Sequence, residues 1–80
     1  MYFVYLLETN KGSIYTGSTP SLKQRLKEHQ SGFCVSTKKF RPLKLIWFSA
    51  FPDRLSARQF EKYLKTGSGQ AFRNRRLIKR

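Results

Sequence analysis

Eighty residues suffice for one domain with a small core and leave no room for a second lobe or a separate lid. Seventeen Lys and Arg stand against four acids, Glu8, Glu28, Asp53 and Glu61, and the formal net charge of +13 calls for a polyanionic partner. Hydrophobic content of 39% excludes a disordered chain, no apolar run approaches the ~20 residues of a membrane span, and the single Cys34 has no disulfide partner, so a reduced, cytoplasmic location is expected.

Residues 2–8 predict a first strand. Val4 and Leu6 share one face with Tyr2, while Phe3, Tyr5 and Leu7 take the other, and near-continuous apolarity predicts a central strand buried on both sides. Residues 13–17 predict a second strand, with Ile14 and Thr16 facing one way and Tyr15 and Gly17 the other. Asn10-Lys11-Gly12 between them reads as a hairpin turn. A turn centred near Asn10 places Tyr5 opposite Tyr15 or next to it, with Cβ atoms about 5 Å apart. Gly17, ending the strand, permits close approach of a backbone or a ligand.

Ser18-Thr19-Pro20-Ser21 predicts a helix start with Pro in the first turn, and the helix should run to about Gln30 with Gly32 closing it. Leu22, Arg25, Leu26 and His29 stand at i, i+3, i+4 and i+7, one helical face. Half of that inward stripe is ionisable, so Arg25 and His29 are expected where core meets cleft. Phe33 to Arg41 predicts a loop whose Lys38, Lys39 and Arg41 are candidates for phosphate contact. Leu43 to Phe51 predicts a third strand, with Trp47 and Phe48 expected in the core.

Ser56-Ala57-Arg58-Gln59 matches a capping box, with Asp53 a rival cap. The helix should reach about Lys65, before Gly67-Ser68-Gly69. Ala57, Phe60, Glu61 and Leu64 form its inward stripe. A carboxylate there needs a partner: a metal ion, Arg25 or His29. Residues 70–80 predict a terminal helix anchored by Ala71, Phe72, Leu77 and Ile78. Its basic run, Arg73/Arg75/Arg76/Lys79/Arg80, suits a solvated tail and phosphate binding equally.

The chemistry these residues support is narrow. One His and one Cys make no zinc site. No glycine loop carries the Lys of a nucleotide-binding motif. Cys34 with His29 lacks a third group to orient the histidine, and Cys34 reads as inert. Phosphodiester hydrolysis needs an activated water, charge neutralisation on the phosphate and help for the leaving oxygen. Arg25 suits a bidentate hold on phosphate. Mg²⁺, or Mn²⁺, needs only one or two carboxylates beside water and phosphate. A phenol ionises near 10; close to Arg, Lys and a cation its pKa is expected to fall, and His29 could relay the proton or orient a tyrosine.

These residues in this order resemble the GIY-YIG nuclease domain, in its small stand-alone bacterial form. Phe3-Val4-Tyr5 sits at the first motif and Tyr15-Thr16-Gly17 at the second. Tyr15-x9-Arg25-x3-His29 matches the family's spacing, and Glu61 falls at its metal-binding glutamate. Lys65-x-Gly67-Ser68-Gly69 is typical of the small members. The likeness runs from Tyr2 to about Phe72 and treats residues 1–80 as one nuclease domain. It implies an α+β fold, a three-stranded antiparallel sheet flanked by helices, and metal-dependent cleavage of DNA. One of Tyr5 and Tyr15 would help activate water, Arg25 would stabilise the phosphate, and Glu61 would bind Mg²⁺ or Mn²⁺. Gly17, Lys38, Lys39, Arg41, Arg75 and Asn74, the last where some members use a late asparagine, are candidates for nucleic-acid contact.

The chain departs from the pattern in three places. Phe3 replaces the first motif's glycine, Thr16 replaces an isoleucine, and Ser18 stands where the excision-repair branch has lysine, which argues against a repair-type assignment. Two alternatives remain open beside a DNA endonuclease. One is a non-catalytic module binding branched or single-stranded nucleic acid. The other is a basic protein of a ribonucleoprotein particle. The sequence leaves substrate form and oligomeric state open.

Overall fold

The computed structural model describes residues 1–78; Lys79 and Arg80 of the basic run lie outside the described residues. Three strands, β1 (Tyr2–Glu8), β2 (Ile14–Thr19) and β3 (Lys44–Phe51), form one antiparallel sheet in the order β2-β1-β3. The helices are α1 (Leu22–Ser31), α2 (Arg54–Leu64) and α3 (Gly67–Phe72), the last running into a π-helical turn over Arg73–Leu77. This is the α+β architecture expected.

β1 is central because both its faces are apolar. Val4 and Leu6 pack with Ala57 and Leu64 of α2 on one side. Tyr5 and Leu7 pack with Leu43 on the other, bordered by Leu22 and Leu26 of α1. Val4, Leu6 and Leu64 are wholly buried, each contributing about 1.5–3 kcal/mol relative to exposure. The sheet is therefore the middle layer, and α1 and α2 dock on opposite faces.

Of the two expected placements of the tyrosines, opposite or next to each other, the hairpin adopts the second. Glu8 pairs with Ile14 and Tyr5 with Gly17, so the turn centres on Lys11 rather than Asn10. Thr9 sets this by folding the loop onto itself: its backbone N–H donates to the Ser13 carbonyl, and its Oγ1 accepts from the Lys11 and Ser13 amides. Tyr15 consequently faces Leu7, diagonal to Tyr5 on the same side of the sheet.

Other boundaries also shift. β2 extends to Thr19, so Pro20 precedes the N-cap Ser21 and stands outside the first turn of α1. Gly32 ends α1 in the left-handed conformation, as expected. The α2 cap is Asp53, whose carboxylate accepts from the Ser56 amide at 2.7 Å; the rival wins because the chain turns helical three residues before the capping-box serine could act. Gly67-Ser68-Gly69 opens α3 instead of trailing away from α2. A Cβ on Gly69 would overlap the Tyr63 carbonyl, so α3 folds back this tightly only over glycine. Trp47 packs on Phe60, but Phe48 stays half exposed on the α1 side of β3, outside the expected core.

Candidate active site

β1, β2 and α1 bring Tyr5, Tyr15, His29 and Arg25 together on one face of the sheet. Tyr5 sits over Gly17 of the neighbouring strand, where a Cβ would come 2.5 Å from its hydroxyl. The missing side chain lets the phenol cross the edge strand and meet His29, at 2.9 Å from Nε2. The Tyr15 ring lies 6.4 Å from that of Tyr5 and 5.2 Å from that of His29, centroid to centroid.

His29 is buried, the last inward position of α1 reaching under the loop that follows the helix. Its Nδ1 lies 2.8 Å from Oγ1 of Thr37, which is buried as well. The Thr37 hydroxyl donates to the Cys34 carbonyl, at 3.4 Å. With its one proton so used, it accepts from Nδ1–H. We assign that tautomer, which leaves Nε2 to accept from the Tyr5 hydroxyl. Burial and the Arg25 charge lower the His29 pKa, and a neutral ring is the state this chain of bonds requires.

Arg25 keeps its guanidinium at the boundary, its side chain 40% exposed, with Nη1 donating to Glu28 Oε1 at 3.3 Å. A second contact runs to Cys34 Sγ at 3.8 Å. The expected Arg25–Glu61 pair does not form. Arg25 is linked to the cluster by its field, which acts on both Tyr5 and His29.

Glu61 comes from the other side of the sheet. Ile14, Thr16 and Ser18 alternate onto the α2 face of β2, and the Ser18 hydroxyl donates to Glu61 Oε1 at 2.5 Å. Lys65, one turn on, donates to Oε2 at 2.9 Å. Neither Arg25 nor His29 is the partner, because both lie beyond the sheet. Desolvation pushes the Glu61 pKa up, but Ser18, Lys65 and the charge of Arg58 outweigh it and hold the carboxyl below its ordinary range.

For Tyr5 the chain's own groups act against the fall expected beside a cation. The Tyr5 pKa is raised, chiefly by burial, then by Tyr15, with Glu61 adding to the effect and only Arg25 opposing it. A basic chain does not by itself make an acidic phenol, since desolvation dominates at a buried hydroxyl. The Glu61 charge is the smallest of these causes.

The oxygen donors fit a hard divalent cation. Glu61 is ionised, retains 17% of its side-chain exposure, and has a hydroxyl oxygen beside it. Its ammonium partner is 57% exposed and free to swing away. Among the described residues no three His, Cys, Asp or Glu side chains cluster as a ready-made metal cage. Any ion here would rest on Glu61 with water and phosphate as further ligands.

The remaining candidates scatter. Gly17 serves Tyr5 directly. Lys38 and Lys39 are exposed on a short 3-10 turn after α1. Arg41 is used internally: its Nε donates to the Lys38 carbonyl and Nη1 to the Gln30 carbonyl. Asn74 and Arg75 line a groove beside the hairpin turn, apart from the tyrosines. Thr37 and Lys65 join the site without having stood among the sequence candidates. Lys65 is legible from its i+4 spacing to Glu61; Thr37, on an irregular loop, carries no periodic signal.

A three-stranded sheet with helices on both faces, bringing tyrosines of β1 and β2 to the histidine and arginine of α1, with an ionised glutamate of α2 beyond the edge strand, is a nuclease-type fold. The chain belongs to the GIY-YIG family: the family model for the GIY-YIG catalytic domain matches residues 1–76. A UPF0213 protein of Clostridium perfringens is 36% identical over 66 residues, covering 81% of this chain and 71% of that protein. Another, from Cupriavidus pinatubonensis, is 38% identical over 61 residues, covering 75% and 68%. The solution NMR structure of a UPF0213 protein from Bacillus halodurans matches with a TM-score of 0.59 and 30% identity, covering 96% of this chain and 87% of that one.

Proposed function

We propose that residues 1–80 act as one cytoplasmic endonuclease domain that hydrolyses DNA phosphodiester bonds with Mg²⁺ or Mn²⁺. The observation carrying this reading is the joining of Tyr5 to His29, in the field of Arg25, on one face of β2, with an ionised Glu61 held by Ser18 of the same strand on the other. When bound at Glu61, the cation would neutralise phosphate charge and stabilise the leaving oxygen.

The chain's own groups supply the rest. Arg25 holds the phosphate through its exposed guanidinium. Tyr5 does not ionise first, since burial opposes it. Its oxygen takes a proton from the attacking water while its own proton passes to Nε2 of His29. The new bond to phosphorus forms and the bond to the leaving sugar oxygen breaks. His29, with its pKa lowered, then gives the proton up readily. Tyr15, half buried with its ring edge-on to His29, borders the water and phosphate position.

One observation favours a second reading, a binding module without cleavage. Ser18 and Lys65 satisfy Glu61 without any metal. Cleavage of plasmid, single-stranded and branched DNA with Mg²⁺, Mn²⁺ or chelator separates the two. The nuclease reading expects cleavage lost in Glu61→Gln and in His29→Ala, with DNA binding kept. Binding without metal-dependent cleavage on every substrate would establish the module instead.

A further inference from the structure

The C-terminal helical segment and the hairpin turn enclose a groove of about 950 Å³, lined in part by Gly12, Ser13, Arg73, Asn74 and Arg75. Ile14, at the start of β2, also lines it. Among the described residues no acidic side chain does. The Asn74 side-chain Oδ1 accepts from Arg73 Nε at 3.2 Å, which leaves the amide N–H₂ as a donor on a residue that lines the groove. The exposed Arg75 guanidinium beside an amide donor makes a surface suited to an anion.

Its position relative to Glu61 gives it meaning. Ile14 packs with the α2-side core, and Ser18, which holds Glu61, alternates onto that same face of β2. Four steps along the strand take one to the other, about 13 Å at ~3.3 Å per residue. A nucleic-acid strand rises ~3.4 Å per nucleotide along the duplex axis and its backbone winds further than that, so the span covers a few nucleotides at most. β2 is an edge strand, and no further strand among the described residues lies along its outer side between groove and carboxylate.

We propose that this groove is a second anchor for the nucleic-acid backbone, holding phosphate a few nucleotides from the bond presented at Glu61. The inference rests on the nucleic-acid reading above but does not need cleavage to be tested. Arg75 and Asn74 are exposed and carry the test, since Arg73 is half buried and its loss could disturb folding.

The experiment is fluorescence anisotropy with a short labelled duplex and its single strand, in the Glu61→Gln background, across a salt series. Arg75→Glu should weaken binding about tenfold and lower the salt slope by about one. Asn74→Asp should weaken it in the same direction. Lys27→Glu, an equal change of net charge on the exposed outer side of α1, is the control and should cost much less. Equal losses in Arg75→Glu and Lys27→Glu, or none in either, would overturn the anchor. If the wild type binds through the groove but never cuts, the nuclease reading fails and the groove stands. If the wild type cuts while the groove variants bind like the control, the anchor fails and the nuclease reading stands.

Discussion

The Tyr5 hydroxyl occupies the space that a side chain on Gly17 would need, and this juxtaposition ties strand pairing to chemistry. Gly17→Ala would force the ring off a position fixed by burial and by His29. Overpacking of this kind costs about 1–3 kcal/mol. Urea unfolding should show that loss, and cleavage should fall further than the fraction unfolded accounts for, because Tyr5 and His29 separate.

Thr37→Val should strand the buried Nδ1–H of His29, a loss of about 1–3 kcal/mol. Thr37→Ser keeps the hydroxyl and should restore most of it. The distinguishing readout is the pH–rate profile: the valine variant, with the tautomer no longer fixed, should shift its acidic limb, and the serine variant should not.

Stability should decline at both ends of the pH range. The His29 pKa is lowered in the folded chain, while the unfolded chain takes up a proton near pH 6.5. Below that value the unfolded state binds more protons, so stability is lost as pH falls through about 6.5 towards the folded value. The Tyr5 pKa is raised, so past about pH 10 the unfolded chain releases a proton that the folded chain retains, and stability falls again. Denaturant midpoints across pH should show both limbs. His29→Asn should remove the step near 6.5, and Tyr5→Phe should make the alkaline limb shallower.

Lys65 competes with any cation for Glu61. An exposed i,i+4 pair is worth only about 0.3–0.5 kcal/mol, so Lys65→Met should tighten Mn²⁺ binding about twofold. Electron paramagnetic resonance of free Mn²⁺ reads this directly, independent of catalysis. Weaker binding in the variant would mean that Lys65 orients the carboxylate rather than blocks it.

Much of the fold is legible in the sequence because β1 and the two helical stripes are unambiguous. An apolar strand without alternation has to be central, and Ala57, Phe60, Glu61 and Leu64 have to face it. The site is legible as a set of residues but not as a set of partners. Hairpin register turns on loop geometry around Thr9, and one step there moves Tyr5 from Tyr15 to Gly17. Which face of the sheet each helix covers is not written in helix periodicity, so the Arg25–Glu61 pair is a reasonable expectation defeated by the sheet between them. The sign of the Tyr5 shift depends on burial, which a count of positive charges does not reveal.

The two helices that dock on opposite faces of β1 have a further consequence. Arg25 and His29 arrive with one layer and Glu61 with the other, and they meet only through β2. A chain emerging from synthesis, or one with either helix detached, would still be strongly cationic and drawn to nucleic acid. It would nevertheless hold only one side of the candidate site. The architecture is thus an interlock: the two sides of the candidate site are joined only once α1 and α2 have both closed on the sheet.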